Sequence, residues 1–66
     1  MSELRARILA AIAGGDPYAL HRDPRNTVWL GQHGGGRDVT EEVKAMGRDG
    51  LLVLDPDTER YVLTAA

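Results

Sequence analysis

The sequence predicts an α+β, mostly helical fold: three helices closed by a C-terminal two-stranded β-hairpin. Apolar residues recur at helical spacing near the N-terminus and again after residue 38. Two short apolar runs flank Asp55-Pro56-Asp57-Thr58-Glu59 near the C-terminus. Asp-Pro and Gly-Gly pairs punctuate the chain between them.

The first helix opens at Ser2, whose hydroxyl can accept from a free N–H of the first turn, with Glu3 at the positive end. Leu4, Ile8, Ala11 and Ile12 fall on one stripe, and Leu9 widens it. Gly14-Gly15 ends the helix. Asp16-Pro17 and Asp23-Pro24 both read as a cap followed by a first-turn proline. The first pair opens a short turn or helical segment over 18–22. The second predicts a helix over 24–32, with Val28, Trp29 and Leu30 as its apolar surface. Trp29 is read as a core anchor, because no second aromatic lies nearby to build a stacking platform.

Residues 37–64 organise the rest. A third helix is expected over 38–48, capped by Asp38 with Glu41 three residues on. Val39, Val43 and Met46 share a narrow arc that should face a core. Arg37, Thr40, Glu41, Lys44 and Arg48 fall around the other side. Gly50, free to take positive φ, closes the helix. Leu51 to Leu54 and Arg60 to Thr64 form the hairpin strands. Asp55 and Pro56 suit a type I turn and a loop of about four residues. Tyr61 and Leu63 share a face by period two.

Sixty-six residues suffice for a single domain, 1–66, with a small core that association would help to stabilise. The absence of cysteine excludes disulfides and thiolate metal sites. No secretory signal or membrane-length apolar run is read, so a cytoplasmic, membrane-free location is expected. His21 and His33 have no partner at metal-ligand spacing, and Glu41 and Glu42 diverge by 100° on a helix. No enzyme, cofactor or metal is therefore expected. Gly34-Gly35-Gly36 lacks the Gly-Lys-Ser/Thr of a nucleotide loop and reads as a turn. The formal net charge is −2, but residues 21–37 carry +2 and residues 38–66 carry −4.

Helix, helix, glycine turn, helix and hairpin is the element order of a winged helix-turn-helix domain. The run Met46-Gly47-Arg48-Asp49-Gly50-Leu51-Leu52-Val53, with Tyr61-Val62-Leu63-Thr64 closing the hairpin, resembles the recognition-helix-to-wing junction of bacterial winged-helix regulators. That resemblance implies a sequence-specific double-stranded DNA-binding module, such as a small transcriptional or mobile-element regulator of a bacterium or phage. Its recognition helix, about 38–48, would enter the major groove. Arg37, Thr40, Lys44 and Arg48 would reach the groove or its phosphates, and Glu41 would accept from a cytosine amino group. Arg25, Thr27 and His33 would touch the backbone, with Arg60 on the wing. The reading requires Arg22, Arg25, Arg37, Lys44 and Arg48 to converge. Glu41, Glu42 and the acidic tip Asp55, Asp57 and Glu59 depart from a phosphate-binding pattern. They favour the alternative, an interaction module that binds a second copy or another protein and no DNA.

Overall fold

A computed structural model of the chain describes residues 2–16, 18–31 and 36–64. The described residues form α1 (Glu3–Ala13), β1 (Leu20–Arg22), β2 (Val28–Leu30), β3 (Arg37–Asp38), α2 (Thr40–Arg48), β4 (Leu52–Asp55) and β5 (Arg60–Leu63). The strands make two antiparallel sheets, β1-β2-β3 and β4-β5. This overturns the expected mostly helical, three-helix winged helix-turn-helix: two helices and five strands are present among the described residues.

The correction centres on the expected helix over 24–32. Residues 24–27 form a turn and Val28–Leu30 form β2. An Asp-Pro pair suits a helix start and a type I turn equally well, and here the turn wins. The Asp23 carboxylate accepts from the N–H groups of Arg25 and Thr27, both at 2.9 Å. Asn26 donates back to the Asp23 carbonyl and takes φ 66, a left-handed conformation that reverses the chain. Val28, Trp29 and Leu30 then pair with Arg22, His21 and Leu20. On its other side β2 pairs Trp29 with Asp38 and Leu30 with Arg37. Gly36 permits this approach, because a Cβ there would sit 3.0 Å from the Leu30 carbonyl oxygen. The segment over 18–22 likewise becomes a turn followed by β1. Its cap is an Asx turn, in which Asp16 accepts from the Tyr18 N–H at 2.9 Å. Pro17, Gln32, His33 and the first two residues of the triple glycine lie outside the described residues.

Both remaining helices follow their sequence signals. Ser2 Oγ accepts from the Arg5 N–H at 3.1 Å, and Gly15 takes φ 75 just past the end of α1. α2 starts two residues later than expected, because Arg37 and Asp38 are taken up by pairing with β2. Val39 occupies the cap position without a side-chain bond, so the Asp38–Glu41 capping box does not form. Asp38 still serves the helix start, accepting from the Thr40 N–H at 3.0 Å. At the other end Leu51 N–H reaches the Met46 carbonyl and Gly50 N–H reaches that of Gly47, with Gly50 at φ 78. These two bonds form a Schellman closure, which satisfies carbonyls that the helix end would leave bare.

The C-terminal hairpin has the expected four-residue loop, from Pro56 to Glu59. Leu52 pairs with Leu63, Val53 with Val62, Leu54 with Tyr61 and Asp55 with Arg60. Inside lies one core: Ile8 from α1, Val28 from β2, Val39 at the cap of α2, Val43 and Met46 along α2, and Leu52 from β4. Each such side chain contributes roughly 1.5–3 kcal/mol by leaving water. Because these contributions come from both helices and from a strand of each sheet, neither sheet is independent of the helices. No helix among the described residues is long and apolar enough to cross a membrane.

Candidate nucleic-acid interface

α2 turns Val39, Val43 and Met46 into the core, which leaves Glu41, Lys44 and Arg48 exposed on the outward side. The Lys44 ammonium lies 3.4 Å from the Glu41 carboxylate, but both side chains are largely in water. A pair of this kind contributes about 0–1 kcal/mol and yields readily to a competing anion. Arg48 stands in the last turn, where the helix dipole favours a cation.

Thr40 is committed inward. Its hydroxyl donates to the Asp38 carboxylate at 2.6 Å and accepts from the Val28 N–H at 2.9 Å. The Val39 N–H also donates to the Val28 carbonyl. These bonds place the β1–β2 turn, with Arg25 exposed on it, beside the first turn of α2. Thr27 is half-buried in that turn. Its N–H donates to Asp23, and its carbonyl accepts from the Asp23 N–H.

The remaining cations separate. Arg37 lines a shallow cleft with Arg7 of α1. Arg22 lines another depression beside Glu59 of the hairpin loop. Arg60 stands across from Asp55 on β5. The single ridge expected of Arg22, Arg25, Arg37, Lys44 and Arg48 therefore divides: Lys44 and Arg48 share the outer side of α2, and Arg25 borders its start. His33 lies outside the described residues.

Two arginines of α1 were not legible as site residues. Arg5 is 2.8 Å from Glu42 and 2.7 Å from Asp49, so it ties α1 to both ends of α2. These hydrogen bonds, to Asp49 first and then Glu42, raise its pKa further. Arg7 lines the same cleft as Arg37, thirty positions on in the sequence, a placement that depends on the three-stranded sheet and that no local pattern announces.

Two carboxyls are held below their ordinary range. Asp23 is lowered first by the bond from Trp29 Nε1, at 3.1 Å, and then by the Thr27 N–H. Asp38 is lowered by the Thr40 hydroxyl and then by the Thr40 N–H. Trp29 is thus half-buried and lies outside the core cluster, against the core-anchor expectation, because its neighbour Val28 takes the inward side of β2 and its own N–H is engaged by Asp23. His21, opposite it, has a buried Nδ1 without a hydrogen-bond partner among the described residues. No group of three or more potential metal ligands forms among the described residues.

No family model, curated protein or solved structure matches the chain.

Proposed function

We propose that the chain binds double-stranded DNA through the outward side of α2, with the β1–β2 turn contacting the neighbouring backbone. The observation that carries this reading is the division of α2: Val43 and Met46 face inward together with the cap residue Val39, and Lys44 and Arg48 face out uncovered. A nine-residue helix is about 14 Å long, which suits insertion into a major groove about 12 Å wide. Lys44 and Arg48 then contact the groove or its rim, and Arg25 supplies a phosphate contact. Glu41 remains the one acceptor on that side. Thr40 has no proton to donate to a base, because its hydroxyl already donates to Asp38.

Three cations on an anionic molecule imply weak and salt-sensitive binding. If all three neutralise a phosphate, log K falls with log salt at a slope of about −2.7. Affinity then drops roughly fortyfold between 50 and 200 mM salt. Fluorescence anisotropy with a mixed-sequence duplex measures this. Lys44→Glu with Arg48→Glu should abolish binding and leave the circular dichroism spectrum intact, since both side chains are exposed. Backbone amide shifts confined away from α2, or binding indifferent to salt, would overturn the reading.

A second reading rests on the hairpin. Val53 and Val62 are direct cross-strand partners, and both are exposed. They form a small apolar strip on the side of the hairpin away from Leu52. As an interaction module the chain would associate there, with a second copy as the first partner to test. Sedimentation velocity across a concentration series should show reversible association that Val53→Ser/Val62→Ser removes. A monomer at all concentrations rejects self-association through this strip.

A further inference from the structure

We propose that the cleft between α1 and β3 binds a phosphate group, with Arg7 and Arg37 as its two guanidinium ligands. The inference does not rest on the α2 reading, because Arg7 lies on another helix and the cleft has its own walls. β3 pairs Arg37 with Leu30, and α1 brings Arg7 to the same concavity. Ala11, Ala19 and Gly31 line it as well, so small residues leave room between the arginines. Its volume of about 370 Å³ exceeds what a bare phosphate needs and admits an ester carrying a further group.

The charges are unbalanced. Among the described residues neither Arg7 nor Arg37 lies within ion-pair distance of a carboxylate, whereas Arg5, two residues before Arg7, engages two. Asp16 is the one acid in the lining, and one of its oxygens already accepts from the Tyr18 N–H. The fold therefore brings two like charges to one cleft against a single carboxylate. Their mutual repulsion is relieved by an anion that accepts from both, and the fork of an arginine matches phosphate oxygens in pairs. The phosphate can be the terminal group of a nucleotide or a diester of a nucleic-acid strand.

NMR of the ¹⁵N-labelled protein separates these sources. Inorganic phosphate, a nucleoside monophosphate and a short DNA duplex are titrated in parallel, following the Arg Nε signals and the Gly31 amide. Saturable shifts of Arg7, Arg37 and Gly31 with the first two probes support the site and assign it to a free phosphomonoester. Shifts of the same signals with the duplex alone support it and assign a strand diester. Arg7→Gln and Arg37→Gln should each weaken the response at least tenfold. Arg37→Lys, which keeps the charge and loses the fork, should fall between and covers the case of a Gln variant that does not fold. Lys44→Glu/Arg48→Glu should leave phosphate binding unchanged, so failure of the α2 reading leaves this result standing. Arg signals unmoved by all three probes, or phosphate binding that survives Arg7→Gln, would overturn the proposal.

Discussion

Glu59 closes the hairpin loop at φ 59, where a side chain bearing a Cβ is strained. Its N–H donates to the Asp55 carbonyl at 2.8 Å, and it is exposed, so the side chain contributes little to set against the strain. The left-handed conformation costs an L-residue roughly 1–2 kcal/mol. Glycine avoids that cost but loses more backbone freedom on folding, about 0.5–1 kcal/mol. Glu59→Gly should therefore stabilise the fold by about 0.5–1 kcal/mol. At this chain length the midpoint of thermal unfolding rises by roughly 2–8 °C. Glu59→Val should move it the other way, because a β-branched residue tolerates positive φ least. Thermal unfolding followed by far-UV circular dichroism reads both. A lower midpoint for the Gly variant, or an unchanged one for the Val variant, would show that the loop does not hold this conformation in solution.

Met46 is fully buried between the helices and the hairpin, so Met46→Ala should cost about 2–5 kcal/mol in urea unfolding, a large part of what a domain this size possesses. Gly36→Ala places a Cβ 3.0 Å from the Leu30 carbonyl oxygen, so it should loosen the β2–β3 pairing and speed exchange of the Val39 amide. Asp23 and Asp38 are held below 3.8 when folded. Their contribution to stability is present above that pH and is lost as pH falls through the lowered folded values. Trp29 fluorescence should report acid unfolding beginning below about pH 4, with a shallower slope in Asp23→Asn.

Sequence legibility followed the range of the forces involved. α1, α2 and the C-terminal hairpin rest on local signals: a cap, a stripe, a glycine exit, an Asp-Pro turn. Each of these appears in the fold within a residue or two, except the Asp38 cap of α2, which is lost because Asp38 pairs with β2 and Val39 takes the cap position. The β1-β2-β3 sheet rests on pairing between short strands, the longest having three residues. Three residues cannot display an alternation that tells strand from helix. Val28 faces the core and Trp29 faces away, and a helical projection accommodates both. The deciding partner, Arg37-Asp38, lies beyond the triple glycine in the sequence. The candidate interface followed the same division. Lys44 and Arg48 were legible as one side of a helix. The inward turn of Thr40 depends on a hydrogen bond from the Val28 N–H, and the shared cleft of Arg7 and Arg37 depends on a sheet that sequence spacing does not show.

Arg5 grips α2 at Glu42 and again at Asp49, about two helical turns apart. That grip is ionic and partly wet, so dissolved electrolyte loosens it along with any contact to a polyanion. Raising ionic strength then acts on the angle between the helices as well as on what they hold. An Arg5→Met comparison would isolate the part of the salt response that belongs to the molecule alone.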